Sequence, residues 1–384
     1  MSQATFLLLT PDFKPLTGGI AEYLHQLWQN IAQSYPAMVI SSVPVSETWE
    51  HDYTLQVIPS DSTPRNPSLE MLRIKKRTAF LKGMIAELSD NLQVFIGVWN
   101  VETHFWCELL QNLEIPYSVF AYGLELFSPV YNRFQNWREK DLKQAKAIYG
   151  VSLPTCQLVE TIVGEETPVH VAYPGVNAIS NYEAIISLAK DLREQFHLQD
   201  QLVLLTVARL IPRKGVDFVL KSLPKLLAEF PHVHYFIIGS GKEKEALQKL
   251  TQSLQLNQVY FMGQVDELTK QAFYELCDLF VMPNRTLAQT DWEGFGIVFL
   301  EAALAGKPSI GGDNGGVKDA VMADVTGLLV DTSEAEPTYQ AIRQLLLDQP
   351  LRLKMGQAAL ERVQQDFTWE AIAPRFLEQH LILP

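Results

Sequence analysis

Two glutamates in this 384-residue chain have a spacing that could carry chemistry. Glu293 and Glu301 bracket the stretch GFGIVFL, a glycine-bearing turn that runs into a segment typical of a helix ending near Gly306. The pair could act as catalytic acids, lie as surface charges of one helix, or bind the hydroxyl groups of a sugar nucleotide. The spacing alone does not choose among these interpretations.

Basic residues follow the apolar run LVLLTVA in the segment RLIPRKG. Arg209 can bind a diphosphate through two parallel hydrogen bonds, and Lys214 adds a compact positive charge. We expect Arg213, between them, to be merely exposed to solvent. Charges in a loop after a strand are also commonly just solvated, so this pair alone does not establish an anion site.

Glycines precede two predicted helix starts. Gly18 and Gly19 come before one helical pattern, and Gly296 comes before the apolar pattern that carries Glu301. Backbone amides at a helix start can bind an anion, and a glycine leaves that approach open. A simple tight turn would have the same composition.

The motifs together favour one kind of leaving group. A glycosidase-like carboxylate pair needs an acid with a raised pKa to protonate an alkoxide. A nucleoside diphosphate needs no such acid, because Arg209, Lys214 and helix-start amides can stabilise the departing charge. The residues therefore favour a diphosphate leaving group over a plain glycoside.

Composition narrows the class of protein. A net charge of −13 argues against nucleic acid as the main partner, since phosphate backbones need a basic footprint. Three separated cysteines favour a reducing, cytoplasmic setting over a disulfide framework. No apolar run has the length of a membrane span, and the first residues lack the features of a signal peptide.

Cofactor and metal motifs are incomplete. The segment FIIGSGKEKEAL has Lys244 where the dinucleotide fingerprint requires a third glycine, so a nicotinamide dehydrogenase is not expected. No Asp-x-Asp follows a predicted strand, and the histidines and cysteines do not have metal-ligand spacing. We expect neither a metal nor a cofactor.

Apolar runs such as TFLLL, QVFIGVW and HYFIIG alternate with amphipathic helical patterns along the chain. This alternation predicts parallel sheets covered on both faces. It occurs in two blocks, so we expect an α/β protein of two doubly wound, Rossmann-like domains facing each other across a cleft. The expected bounds are 1–178, 179–365, and 366–384 for a C-terminal helix that crosses back to the first domain.

Taken together, the motifs resemble those of the retaining nucleotide-sugar glycosyltransferases of family 4, which have the GT-B fold. The segments VARLIPRKG, FIIGSG, VYFMGQVDE, EGFGIVFLEAALAGKPSIGGDNGGVKDAV and TGLLVD fall in the family's order, and the glutamates match its E-x7-E element. The resemblance covers nearly the whole chain and is strongest over residues 207–331. It implies hexose transfer with retention of the anomeric configuration and without a metal.

The resemblance also implies roles around the transferred sugar. Arg209 and Lys214 would bind the donor diphosphate, and Gly18 and Gly19 would lie near it. Glu293 would hold a hydroxyl group of the sugar. The amides that would contact sugar and phosphate are those of Phe295, Gly296 and Ile297.

The remaining implied roles concern the nucleoside and the acceptor. Glu301 would bind the ribose hydroxyls, and the base would lie near Val265. The second domain would bind the donor, and the first would bind the acceptor.

One position departs from the family. Many members carry His-Gly after a strand of the first domain, with the histidine close to the sugar, and this chain has Tyr122 before Gly123. A phenol can donate a hydrogen bond but is a poor proton shuttle at neutral pH. His104 could partly replace the histidine, although a surface position at a helix start is the commoner situation. A nucleotide-sugar-binding protein without transferase activity stays an alternative.

The segment MLRIKKRTAFLKGM carries basic residues among apolar ones. Such a helix could lie on an anionic membrane or meet a phosphorylated acceptor, although a solvated face is commoner. The residues concerned are Arg73, Lys75, Lys76, Arg77 and Lys82.

The sequence therefore predicts a cytoplasmic hexosyltransferase of polysaccharide biosynthesis, with peripheral association at the inner face of the membrane as a further expectation. UDP-glucose is the expected donor, and a glycan or a lipid-linked sugar is the expected acceptor. An epimerase or phosphorylase-like enzyme on the same fold is the second alternative.

Overall fold

A computed structural model describes residues 3–16, 18–43, 51–59, 67–88, 91–127, 133–287 and 291–382. The chain divides into two compact units. Unit 1 comprises Met1–Gly175 with Trp369–Pro384, and unit 2 comprises Val176–Thr368.

Unit 1 contains a parallel sheet of seven strands in the order β3-β2-β1-β4-β5-β6-β7. The strands are β1 (Thr5–Thr10), β2 (Ala37–Ser41), β3 (Thr54–Val57), β4 (Leu92–Ile96), β5 (Tyr117–Ala121), β6 (Ala147–Gly150) and β7 (Val169–Val171). The helices are α1 (Gly19–Ala32), α2 (Pro67–Ala86), α3 (Val101–Asn112), α4 (Leu124–Phe127), α5 (Gln135–Lys143) and α6 (Leu153–Val163).

Unit 2 contains a parallel sheet of six strands in the order β10-β9-β8-β11-β12-β13. The strands are β8 (Leu202–Val207), β9 (Val233–Ile238), β10 (Val259–Gly263), β11 (Leu279–Met282), β12 (Ser309–Gly312) and β13 (Gly327–Val330). The helices are α7 (Tyr182–Gln195), α8 (Val216–Glu229), α9 (Lys244–Ser253), α10 (Glu267–Leu276), α11 (Ile297–Leu304), α12 (Val317–Ala320), α13 (Glu336–Leu347) and α14 (Gln349–Asp366).

The apolar runs of the sequence form the central strands, and they are buried on both faces. In β1 the side chains of Phe6, Leu7, Leu8 and Leu9 are fully buried, whichever face of the sheet they point to. This pattern is the one that parallel sheets covered by helices on both sides require. The expected pair of doubly wound α/β sheets is confirmed.

Strand order reverses at one place in each sheet, between β1 and β4 in unit 1 and between β8 and β11 in unit 2. Loops after neighbouring strands diverge at such a point and leave a crevice at the carboxyl edge, where the strands end. The segments carrying Gly18 and Arg209 follow β1 and β8, so both lie at these carboxyl edges.

The last helix, α15 (Trp369–Ile382), packs within unit 1. His380 Nδ1 lies 2.8 Å from the Tyr149 hydroxyl, and its Nε2 lies 2.9 Å from Gln93 Oε1. A neutral imidazole satisfies both, since Nε2–H donates to the amide oxygen and Nδ1 accepts from the phenol. Burial lowers the pKa of His380 to about 4, with smaller effects from the charges of Lys146 and His170.

We expect unit 1 to lose stability as the pH falls from 6.5 to about 4, because the unfolded histidine binds a proton over that range and folded His380 does not. His380 accounts for up to about 3 kcal/mol of this loss. His380→Gln should therefore show a shallower pH dependence in urea unfolding followed by tryptophan fluorescence, which reports mainly on unit 1 because Trp292 is the one tryptophan of unit 2.

His232→Gln is the matched control, since His232 is exposed in unit 2. If the free energy of unfolding changed with pH as steeply in His380→Gln as in wild type, this account of how α15 is held would be contradicted. His25, whose pKa burial also lowers to about 4, should retain part of the slope in that variant.

Candidate active site at the carboxyl edge of the second sheet

Lys214 ends a short 3-10 turn, Pro212–Lys214, between β8 and α8. The next residue, Gly215, has a φ of +70°, and a Cβ there would lie 2.0 Å from the Pro283 carbonyl oxygen. Only glycine therefore lets this turn pack against the end of β11. The packing buries Lys214 and places its Nζ 2.5 Å from Glu293 Oε2.

Glu293 lies in the segment before α11 and is held through both backbone and side chain. Its carbonyl accepts a hydrogen bond of 2.9 Å from the Gly316 amide, in the turn after β12. Its side chain is 12% exposed. Burial by itself would raise the pKa of this carboxyl, but the charges of Lys214, Arg213 and Arg209 and the Lys214 hydrogen bond hold it below its ordinary value. Glu293 is thus an ionised carboxylate in a cationic setting.

Arg213 is not exposed, and the sequence-based expectation was wrong. Only 4% of the residue is accessible. Its Nη1 donates to the Trp292 carbonyl and lies 3.2 Å from Asp291 Oδ1. Solvation was expected of Arg213 alone, whereas the turn directs both Arg213 and Lys214 inward toward residues 291–293.

Arg209 is the exposed cation of the group. It follows β8, and among the described residues its guanidinium has no hydrogen-bond or ion-pair partner. Its charge nevertheless contributes to the lowered pKa of Glu293. An exposed guanidinium beside this group can bind an anion without first breaking an ion pair.

The glycines after β9 serve packing. Gly239 has a φ of +129°, and a Cβ there would lie 1.9 Å from the Ala208 carbonyl oxygen. The Leu210 amide donates to the Ser240 carbonyl at 2.8 Å in the same contact. This G-x-G therefore lets the loop after β9 approach the loop that carries Arg209.

Glu301 lies one turn into α11, because the helix begins at Ile297. Glu293 precedes the helix, so the two glutamates are not two positions of one helix face. Lys270 Nζ donates to Glu301 Oε1, and the Tyr274 hydroxyl donates to Oε2, each at 2.8 Å. Both partners belong to α10, so the Glu301 charge is already compensated within unit 2.

The other predicted donor-binding positions in unit 2 surround this helix start. Gly296 caps α11, and Phe295 is buried against Phe367 with ring centroids 5.8 Å apart. The first amides of a helix have no acceptor within the helix, so the amide of Ile297 can serve a ligand. Val265 is part-buried between β10 and α10.

Two asparagines that sequence reasoning missed join the loops of this edge. Asn284, fully buried after β11, accepts from the Gly312 amide at 3.1 Å and donates to Asn314 Oδ1 at 2.9 Å. Asn314 Nδ2 in turn donates to the Asn284 carbonyl at 2.7 Å. An asparagine directly after a buried strand, in FVMPN, was the signal for this role.

In unit 1, Gly18 and Gly19 stand at the start of α1. Both are exposed, and a Cβ on either would meet nothing within 4 Å. Gly18 is in an extended conformation that any residue adopts. Their own chain therefore does not require glycine at these positions. Thr17, the residue before them, lies outside the described residues.

Tyr122 follows β5, and its hydroxyl donates to the Gly97 carbonyl at 3.0 Å. Burial, with Tyr23 and Glu125, raises the pKa of this phenol well above its ordinary value. Glu125 accepts from the Tyr122 amide at 2.6 Å and from the Gly123 amide at 3.3 Å. Tyr122 is therefore a neutral hydrogen-bonding group and cannot act as a base near pH 7.

His104 is buried, and the expectation of a surface histidine was wrong. Its Nδ1 lies 2.8 Å from Asp141 Oδ2, and its ring stacks on Trp137 with centroids 4.4 Å apart. Asp141 also accepts from Trp99 Nε1 at 2.9 Å. The histidine was misjudged because its burial depends on α5, which is distant in sequence.

The described part of the chain contains neither a cluster of metal-ligating side chains nor a membrane-spanning helix. No group of three His, Cys, Asp or Glu side chains there could hold a metal ion. No helix there is both long enough and apolar enough to cross a membrane.

Comparison with known proteins identifies relatives over the whole length. The family model described as glycosyl transferases group 1 matches residues 189–362. The GDP-mannose-dependent alpha-(1-6)-phosphatidylinositol monomannoside mannosyltransferase of Mycobacterium tuberculosis is 35% identical over 97% of each chain. The protein of the same name from Mycolicibacterium smegmatis is 33% identical over 97% of each chain.

Solved structures share the fold at lower identity. Anabaena Alr3699/HepE, in complex with UDP and glucose, has a TM-score of 0.79 and 20% identity over 98% of this chain and 99% of that one. The sucrose-phosphate synthase of Thermosynechococcus elongatus has a TM-score of 0.76 and 20% identity over 99% and 98%. The two-sheet architecture is therefore the GT-B fold.

The Lys214–Glu293 pair gives a prediction that needs no ligand. Removing one partner of a buried ion pair leaves an uncompensated charge, which costs about 3–5 kcal/mol, and here Arg213 and Arg209 should reduce that cost to about 2 kcal/mol. We expect Lys214→Met to lower the free energy of unfolding by that amount, and Lys214→Met/Glu293→Gln to regain most of it, in urea titrations followed by circular dichroism.

Lys225→Met is the matched control, since it breaks an exposed pair with Glu336 in the same unit, and we expect no measurable change there. Equal losses in the single and double variants would show that the two side chains do not act as a pair.

Proposed function

Because the chain belongs to the group 1 glycosyl transferases and is a glycosyltransferase, we propose that it moves a hexose from a nucleoside-diphosphate sugar to a glycolipid or glycan acceptor with retention of the anomeric configuration. One observation carries the proposal. Lys214 pairs with the largely buried carboxylate of Glu293 beside the start of α11, and the charges of Arg213 and Arg209 also act on that carboxylate.

The cations suit the leaving group. As the glycosidic bond breaks, negative charge develops on the diphosphate, and fixed positive groups stabilise that charge most where water is excluded. Arg209 is exposed, and Lys214, five residues later, is buried, so the two supply an accessible and a desolvated charge. We propose that no metal is needed, because these groups do the work that a bound cation would do.

Lys214 and Glu293 bind each other in the structure without donor. In the proposed complex, Lys214 binds the diphosphate and Glu293 accepts a hydrogen bond from a hydroxyl of the transferred sugar. The ion pair must therefore open, or be shared, when the donor arrives. Since Lys214 gains a dianionic partner as it leaves a carboxylate, its charge stays compensated throughout.

Glu301 is proposed to bind the ribose. An ionised carboxylate has about four lone-pair positions, and Lys270 and Tyr274 use two of them. Two ribose hydroxyls can donate to the remaining positions without displacing either partner. Val265, between β10 and α10, is proposed to lie near the base. The roles that the resemblance implies for Gly18, Gly19 and Tyr122 stay predictions.

The donor we propose is GDP-mannose, in place of the UDP-glucose expected from sequence. Two relatives of full length, 35% and 33% identical, are named as GDP-mannose-dependent mannosyltransferases. The structure solved with UDP and glucose is 20% identical, which supports the fold alone. By the same relatives, a glycolipid with an inositol mannoside headgroup is the proposed acceptor.

A thermal-shift panel of GDP-mannose, UDP-glucose, GDP, UDP and ADP tests the donor. A ligand at about 100 times its Kd stabilises the fold by about 2.7 kcal/mol, and we expect the guanosine compounds to give the larger shift. Incubating the preferred donor with water and following it by mass spectrometry tests the two alternatives. An isomeric donor would indicate an epimerase, and tight binding without turnover would indicate a binding protein.

Substitution of the two glutamates should affect nucleotide binding and the transfer rate differently. Glu301→Gln should weaken the free nucleoside diphosphate and the donor alike, because both contain the ribose. Glu293→Gln should bind the free nucleoside diphosphate at least as tightly as wild type, because Lys214 is released, while its transfer rate falls by about 100-fold or more. Calorimetry and initial rates, measured in EDTA and again with added Mg²⁺, give both quantities.

Weakened nucleoside diphosphate binding in Glu293→Gln, or unchanged binding in Glu301→Gln, would contradict the assigned roles. Activity that requires added Mg²⁺ would contradict the metal-independent mechanism.

Helix α2 supports the proposed membrane association, in a form different from the sequence-based one. Arg73 and Arg77 do not contribute, because they pair with Glu70, and Arg77 Nε also lies 2.6 Å from Glu102 Oε1. The exposed residues of α2 include large apolar side chains and lysines: Met71, Leu72, Phe80, Lys75, Lys76 and Lys82. Such a mixture suits the surface of an anionic bilayer.

We expect the protein to bind vesicles that contain anionic phosphatidylglycerol more tightly than pure phosphatidylcholine vesicles. Each basic residue near an anionic surface is worth about 1 kcal/mol, so Lys75→Glu/Lys82→Glu should lower binding at least about tenfold in a sedimentation assay. Lys249→Glu/Lys354→Glu makes the same change of net charge on exposed residues of unit 2. Equal losses of vesicle binding in both double variants would show that net charge alone, rather than the surface of α2, determines binding.

A further inference from the structure

We propose that Arg213 is a positioning residue for the reaction: it fixes residues 291–293 so that the Glu293 carboxylate stays in place when Lys214 turns to the donor. The inference deepens the proposed function and rests on it, since Glu293 is the group that holds the transferred sugar there. Arg213 itself touches neither donor nor sugar in this proposal.

Arg213 and Lys214 contact different residues of the segment 291–293. Arg213 Nη1 donates to the Trp292 carbonyl and pairs with Asp291 at 3.2 Å. Lys214 Nζ pairs with Glu293 at 2.5 Å. Arg213 therefore holds the Asp291 side chain and the Trp292 backbone, and Lys214 holds the Glu293 carboxylate. Between them, two consecutive residues of the turn fix three consecutive residues of the segment 291–293.

The other side of the segment is held by the turn after β12. The Gly316 amide donates to the Glu293 carbonyl at 2.9 Å. The Arg213 carbonyl accepts from the Arg285 amide at 2.8 Å, which ties the turn itself to the segment after β11. If Lys214 leaves for the diphosphate, Arg213 and Gly316 still hold the backbone on either side of Glu293, and Asp291 keeps its backbone hydrogen bonds with Leu287.

Burial of the Arg213 guanidinium has a high free-energy cost for a residue that would serve only to stabilise the fold. Only 4% of it is exposed, its Nε has no hydrogen-bond partner within the described structure, and its acidic partner Asp291 is 44% exposed on the side chain. A buried guanidinium with incomplete hydrogen bonding is commonly less stabilising than an apolar residue of similar size. Placement of the segment, rather than stability, accounts for its burial.

Charges around Glu293 support the same role. The turn supplies Arg213 and Lys214, and the loop after β8 supplies Arg209. Asp313, in the turn after β12, pairs with Lys318 of α12 at 2.9 Å, so these two residues add little net charge. If Lys214 is withdrawn, Arg213 and Arg209 remain as the cations that act on Glu293, and Arg213 is the buried one.

The test compares Arg213→Met and Arg213→Lys with wild type, and Arg343→Met serves as control because it breaks an exposed ion pair with Glu229 in the same unit. Removing a group that only orients a reacting residue lowers kcat more than it changes KM. We expect kcat for sugar transfer to fall about tenfold or more in Arg213→Met, with donor KM and nucleoside diphosphate affinity within about threefold of wild type. Arg213→Lys should recover part of the rate, and Arg343→Met should match wild type.

A second readout does not depend on activity. In protein labelled with ¹³C-carboxyl glutamate, the Glu293 signal is the one that Glu293→Gln lacks, and we expect its titration to move to higher pH in Arg213→Met. A wild-type kcat together with an unmoved titration in Arg213→Met would overturn the proposal. Were wild type to transfer no sugar, the proposed function would fail, while the titration would still decide whether Arg213 controls Glu293. Should Arg213→Met not fold, the same two measurements on Arg213→Lys apply.

Discussion

The ion pair between Lys214 and Glu293 is the constraint around which the second sheet's carboxyl edge is organised. Both side chains are about nine-tenths buried, and removing either one leaves the other with a desolvated and less fully compensated charge. Contact between Lys214 and Glu293 requires the Pro212–Lys214 turn to lie against the end of β11, which Gly215 permits. It also requires residues 291–293 to lie against that turn. If either loop were displaced, one of the two buried charges would lose its partner.

Polar side chains and backbone, rather than apolar packing, connect the loops of this edge. Asn284 and Asn314 join the ends of β11 and β12 through reciprocal amide contacts. Gly239 lets the loop after β9 reach the loop that carries Arg209. The apolar sheet of unit 2 lies beneath these loops, and these few contacts determine the positions of the charged groups at its carboxyl edge. This division explains how a common fold can present a specific arrangement of charges.

Much of the fold was predictable from sequence, because buried parallel strands appear as continuous apolar runs such as TFLLL and LVLLTVA. The residues around Glu293 were also predictable as a group, since glycines, basic residues and glutamates follow consecutive strands. Burial of particular polar residues was not. Arg213 and His104 were both expected at the surface, and each is buried by a segment far away in sequence, residues 291–293 and α5 respectively. Local composition carries no information about such contacts.

The central claim is that the donor takes over the two partners of the resting ion pair, with the diphosphate on Lys214 and the transferred sugar on Glu293. A crystal structure with a non-transferable analogue of the preferred nucleotide sugar tests it most directly. The account predicts Lys214 Nζ within hydrogen-bond distance of a diphosphate oxygen and Glu293 accepting from a sugar hydroxyl. A bound donor that touches neither residue, with the 2.5 Å Lys214–Glu293 contact intact, would contradict it.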